Sequence, residues 1–132
     1  MELSPRVCLV DTYTVCAQYG CSAEAIWQKI DEGHFLWVWN LAAPGGQTRK
    51  LRFWAEELAA RDAVRSLAVE TVIDRILPPG RPQFPPGEVC LRFLISRPTL
   101  KRIRQELALP VGNVPREPLV AYLREKWIGG GK

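Results

Sequence analysis

The stretch from Thr12 to Leu58, TYTVCAQYGCSAEAIWQKIDEGHFLWVWNLAAPGGQTRKLRFWAEEL, switches between helical and strand periodicity, and this constrains the fold more than any other feature. Val15, Cys16 and Tyr19 have the i, i+1, i+4 spacing of a buried stripe, so Tyr13 to Tyr19 reads as a short helix. Gly20 stops it, because glycine enters the left-handed conformation without a Cβ penalty. Ser22 stands where an N-cap oxygen takes a free N–H of the next turn. The helix it opens carries Ala25, Ile26 and Ile30 inward and ends at Glu32 and Gly33. Phe35 to Leu41 is aromatic and β-branched, Pro44-Gly45-Gly46 is a turn, and Leu51-Arg52-Phe53 is a second short strand before a third helix. Two helices joined by a tight turn and followed by a β-hairpin form the pattern of a winged helix-turn-helix.

The run Cys21-Ser22 opening a helix, Ile30-Asp31-Glu32-Gly33, an apolar strand, a polar loop, and Arg52-Phe53 before Glu57-Leu58 resembles the winged-helix module of phage-type excisionases and MerR-like regulators. The resemblance implies that the second helix enters the major groove of DNA while the wing touches phosphates or the minor groove. It covers the stretch from Thr12 to Leu58, and departs from the usual pattern in its Trp37 and Trp39 and in Glu24 on the recognition helix.

Downstream, Trp54 to Leu77 reads as a long helix broken near Arg61-Asp62, with Val64, Leu67, Ala68, Val72 and Ile76 on one apolar side. Pro78-Pro79-Gly80-Arg81-Pro82 and Pro85-Pro86-Gly87 predict a semi-rigid linker without regular structure. The expected organisation is a first module at 1–77, a linker at 78–87 and a second module at 88–132. Charge divides the same way. Residues 1–77 carry eight Lys/Arg against ten Asp/Glu, a net of −2, whereas residues 78–132 carry ten against four, a net of +6. A basic field concentrated in one half suits a polyanion partner, since each neutralised phosphate releases condensed counterions.

The second half restarts the first. Val15-Cys16-Ala17-Gln18-Tyr19-Gly20-Cys21-Ser22 aligns with Val89-Cys90-Leu91-Arg92-Phe93-Leu94-Ile95-Ser96 at an offset of 74, and Ile26 falls on Leu100. Arg116 to Trp127 matches a closing helix, while the second wing shrinks to about Val111–Val114. The expected fold is mainly α with small β-wings, as tandem winged helix-turn-helix modules. In the second recognition helix Leu100 and Ile103 turn inward, leaving Arg97, Thr99, Lys101, Arg102 and Arg104 as candidate DNA contacts, with Pro98 suited to the first turn. In the first module the candidates are Ser22, Gln28 and Lys29 on the helix, and Arg49, Lys50 and Arg52 on the wing.

Trp37 and Trp39 admit three readings, the last the weakest: packing within the molecule on the helix from Val64 to Ile76, a protein interface, or stacking on nucleobases. Cys8, Cys16, Cys21 and Cys90 show no C-x-x-C pair and His34 is the single histidine, so no metal, cofactor or disulfide is expected. No Ser/His/Asp set or Gly-rich phosphate loop appears, and Asp31-Glu32 and Glu56-Glu57 diverge on their helices; the chain reads as a non-enzyme. The N-terminus lacks the pattern of a secretory signal and no apolar run approaches a bilayer span, which gives an expected cytoplasmic, nucleoid-associated location. Gly129-Gly130-Gly131-Lys132 reads as a loose tail.

The expected function is sequence-specific binding of double-stranded DNA. The resemblance implies a recombination directionality factor working with an integrase, or a transcription regulator of a mobile element, with self-association on DNA. The alternative is a winged-helix protein-interaction module, an adaptor or antiactivator, that binds a protein partner.

Overall fold

Asp11 caps the first helix: its carboxylate accepts from Thr14 N–H at 3.0 Å and from the Thr14 hydroxyl at 2.9 Å. The computed structural model describes residues 8–43 and 49–129. Around this cap the chain runs β1 (Leu9–Asp11), α1 (Thr12–Tyr19), α2 (Ala23–Asp31), β2 (Val38–Asn40), β3 (Leu51–Trp54), α3 (Ala55–Ala59) and α4 (Arg61–Val64). Gly20 ends α1 at φ 65°, and Ser22 Oγ accepts from Ala25 N–H at 3.2 Å to open α2. The three strands form an antiparallel sheet in the order β1-β3-β2, with Val10 and Val38 both opposite Phe53. Val15, Ile26, Ile30, Phe35, Val38, Leu51 and Phe53 make the core between the helices and this sheet. The turn expected at residues 44–46 lies outside the described residues.

This first unit spans Leu9–Ser66 and, among the described residues at the other end of the chain, also takes in Lys126 to Gly129. Ile128 N–H donates to Val38 O at 3.0 Å, and Trp127 bridges Trp39, so the returning chain lies along β2. Trp127 Nε1–H reaches Leu36 O at 2.8 Å, and its ring stacks on Trp37 at 5.2 Å and 15°. Gly129 is buried against the Leu36 carbonyl, so the segment expected to be a loose tail is packed at least to that residue; 130–132 lie outside the described residues. Trp37 and Trp39 are 1% and 0% exposed, which rules them out as the protein interface considered above. They fill the interior because the strand bearing them is covered on both faces.

The helical stretch expected from Trp54 to Leu77 with a break near Arg61-Asp62 is interrupted there and once more, giving α3, α4 and α5 (Val69–Ile76). Ala60 takes φ −148°, separating α3 from α4. At Val64 the carbonyl that a continuing helix would offer to Ala68 accepts from Trp37 Nε1–H at 3.1 Å. A buried indole thereby takes over a helix bond, and α4 stops. Glu57, on α3, is 2% exposed and accepts from Leu36 and Trp37 N–H at 2.9 Å each, tying the strand entry to the helix.

The second unit comprises Leu67–Glu125 with Cys8. Its elements are α5, β4 (Gln83–Phe84), α6 (Pro86–Phe93), α7 (Arg97–Leu107), β5 (Val114–Pro115) and α8 (Arg116–Lys126), with β4 antiparallel to β5. The unit boundary falls after Ser66, and residues 78–87 lie inside this unit instead of linking two modules. Pro85 and Pro86 permit this because each occupies a position that needs no N–H. Pro85 is the N-cap of α6 and Pro86 its first residue, while fully buried Phe84 pairs with Val114. Arg116 N–H closes the segment onto Pro82 O at 2.8 Å. Arg81 and Arg92 both clasp Glu88, which caps the arrangement electrostatically.

The element order recurs between the units. β1 begins at Leu9 and β4 at Gln83; α1 begins at Thr12 and α6 at Pro86; α2 begins at Ala23 and α7 at Arg97, an offset of 74 each time. The strand pairs correspond as well: Val10 faces Phe53 in one unit, Phe84 faces Val114 in the other. Here Phe53 to Val114, like Ala55 to Arg116 at the next helix start, is an offset of 61. The shortfall of 13 residues falls where the first unit has β2 and its hairpin, for which the second has no counterpart strand among the described residues.

Candidate nucleic-acid interface

Helix α7 forms because Ser96 Oγ caps it, accepting from Thr99 N–H at 3.3 Å, and because Leu100 and Ile103 bury one side. On the opposite side Arg97 and Lys101 stand exposed one turn apart, with no hydrogen bond or ion pair to any described residue. The other three candidates of this helix are engaged internally. Thr99 Oγ1 meets Ser96 Oγ at 3.0 Å as part of the cap. Arg102 pairs with Glu106 at 3.2 Å, beside Tyr122, whose buried phenol is pushed up to about 12. Arg104 donates from Nη1 to Pro110 O and from Nη2 to Gly112 O, both at 2.6 Å. Arg104 is therefore a latch on the loop after α7, where the shortened wing was expected.

That loop turns at Gly112, φ 116°, and presents Val111 at 95% exposure. Val111, Pro86, Leu100, Arg97, Lys101 and Arg104 line a groove of about 260 Å³, apolar at its floor and cationic at its rim. Cys90 lies near this rim: burial pushes its thiol up, and Arg97 and Arg104 pull it back.

In the first unit the equivalent helix α2 spends Ser22 on its own cap, leaving Gln28 exposed and Lys29 half-buried. Together with Ala25 and Glu32 they border a shallow hollow of about 220 Å³. Arg49 lies with its guanidinium carbon 3.8 Å over the Trp27 ring, a cation–π contact that orients this cation against the helix. Lys50 is half-buried, and its N–H donates to Asn40 Oδ1 at 3.1 Å. Arg52 turns inward: Nη1 donates to Leu51 O at 2.8 Å, and burial lowers its pKa although Asp11, opposite it in the sheet, raises it. Burial in turn pushes Asp11 up, but the Thr14 hydrogen bonds and Arg52 outweigh it and hold the carboxyl below its usual value. Glu24 and Asp31 on α2 and Glu32 at its C-cap are exposed, while the positions that match Arg97 and Lys101 at the 74-residue offset are Ala23 and Trp27, so α2 has no cation at either place.

The structure thus divides the expected contacts. Arg97, Lys101, Gln28 and Arg49 are outward; Ser22, Thr99, Arg102, Arg104 and Arg52 have structural partners; Trp37 and Trp39 are interior. The Arg104 latch was invisible to spacing, because it needs the fold of the loop six to eight residues ahead. Val111 carried a weak signal, an apolar residue between Pro110 and Gly112. Among the described residues no group of acidic, cysteine and histidine side chains is arranged to hold a metal ion, and no helix is long and apolar enough to cross a membrane. The chain matches no protein-family model, no curated protein and no solved structure.

Proposed function

We propose that the protein binds double-stranded DNA through two helix-turn-helix modules, the first winged and the second without its wing. The observation carrying this reading is α7: a serine-capped second helix that follows a tight turn and holds Arg97 and Lys101 unpaired on one solvent face. Two long cations spaced one turn apart can reach phosphates flanking a groove or fork onto guanine. The recurrence in both units of a helix pair whose second member is capped by serine supports a tandem arrangement. Resemblance to excisionases makes a recombination directionality factor acting with an integrase the role in view, with regulation of a mobile element's transcription equally compatible with the residues.

The test is fluorescence anisotropy on a random-sequence duplex, comparing wild type with Arg97→Ala/Lys101→Ala between about 50 and 200 mM salt. Wild type should bind with a steep salt dependence, and the double variant should weaken binding and reduce the log–log salt slope by about 2, one per lost phosphate contact. Absence of binding at low salt overturns the reading.

One observation favours a protein partner for the first unit: α2 exposes Glu24, Asp31 and Glu32. Carboxylates facing phosphate repel it. If α2 instead faces a protein, neutralising all three (Glu24→Gln/Asp31→Asn/Glu32→Gln) leaves DNA affinity unchanged; if it faces DNA, the same change strengthens binding.

A further inference from the structure

We infer that the groove between α7 and the Pro110–Asn113 loop grips the C5-methyl edge of thymine, with Val111 as the reading residue and Arg104 as its positioning residue. This rests on the DNA reading above and specifies what its second module recognises.

A surface made only to hold phosphates needs cations and no apolar concavity. This one has both. Leu100, 2% exposed, floors the groove, Pro86 walls it, and Val111 projects over it almost fully solvated. Here the loop is fixed by the two Arg104 hydrogen bonds to Pro110 O and Gly112 O, which hold the valine outward. Arg104 has both terminal nitrogens on backbone carbonyls, so it shapes the loop while Arg97 and Lys101 remain for phosphates. The loop also occupies the place left by the 13-residue shortfall relative to the first unit, so a small apolar contact stands where that unit has a hairpin. In the major groove the thymine methyl is the one apolar group on a base edge, and apolar side chains read it. The cationic rim fits the phosphates that flank such a base.

The experiment measures affinities for two short alternating duplexes, poly(dA-dT) and poly(dA-dU), which differ by the methyl alone. Wild type is expected to favour the thymine duplex by about threefold to fivefold for each enclosed methyl. Val111→Ala should bring the two affinities together while keeping salt-dependent binding to both. Arg104→Lys, which keeps the charge but not the two-pronged latch, should also lower the preference. Equal wild-type affinity for the two duplexes overturns the inference and leaves the DNA reading standing. A thymine preference that survives Val111→Ala also overturns it, since the methyl would then be sensed elsewhere or through duplex stiffness. Binding to neither duplex sinks the DNA reading itself. Val111 is solvated, so unchanged thermal melting of its variant is the expected check on folding.

Discussion

Leu94 occupies the left-handed region at φ 52°, at the position where the first unit has Gly20 at φ 65°. A leucine there costs roughly 1–2 kcal/mol in Cβ–carbonyl crowding. Leu94→Gly removes that cost, offset by the roughly 0.4–1 kcal/mol that a freer unfolded chain adds. The side chain is only 36% exposed, so its buried part, worth about 1–2 kcal/mol, is lost as well. Leu94→Gly should therefore lie within about 1 kcal/mol of wild type and above Leu94→Ala, which loses the same packing but keeps the strain, read as urea midpoints at unchanged slope. At this scale the sequence was legible wherever the cause was local. Ser22 and Ser96 cap their helices, and Gly20 ends the first, because a hydroxyl or a missing Cβ acts on atoms within three residues of itself. It was illegible where the partner comes from a distant turn or strand, as with Arg49 over Trp27 or Glu57 on Leu36 and Trp37.

Among the elements, α6 is fastened at its start by Glu88, which takes Arg81 Nη2 at 2.7 Å and Arg92 Nε at 2.8 Å. The Arg81 hydrogen bond is the foremost cause that lowers the Glu88 carboxyl from 4.5 to about 2. A folded value below the unfolded one means stability that is fully present above pH 4.5 and lost as pH falls toward 2. Asp11, also held low, acts in the same direction in the first unit. Denaturant unfolding at pH 5, 3 and 2 should therefore show falling stability, and Glu88→Gln should flatten part of that fall; an unchanged pH profile would remove Glu88 from the account. The proline-rich segment belongs to this scale too. Its composition argued for a linker, yet β4 pairs there and α6 starts there, because a proline at an N-cap or first helical turn forgoes no bond. The helical stretch expected from Trp54, broken near Arg61-Asp62, has a second break for the opposite reason: no breaker residue stands at Val64, and that interruption comes from Trp37 across the unit.

At the level of the whole molecule, neither unit is one continuous stretch of chain. Cys8 belongs with the second unit and the stretch from Lys126 to Gly129 with the first, so the returning chain completes the strand side on which Trp37 and Trp39 lie. Gly129 tests this closure. A Cβ there would overlap the Leu36 carbonyl, whereas one at Gly80 meets nothing within 4 Å. Gly129→Ala should lower stability by about 1–3 kcal/mol, the usual cost of overpacking, and Gly80→Ala by far less. Equal effects would mean the returning chain does not hold the position seen here.

By itself the sequence determined the mainly helical character, the paired helices with their caps, the short hairpin strands and the restart after 74 residues. Each of these follows from periodicity or from side chains acting on neighbouring backbone. Only the tertiary structure decided which unit the proline segment, Cys8 and the stretch from Lys126 to Gly129 join, that two tryptophans are interior, and which arginines are latched rather than outward. Those outcomes depend on burial and on hydrogen bonds between residues far apart in the chain, and a linear pattern carries neither.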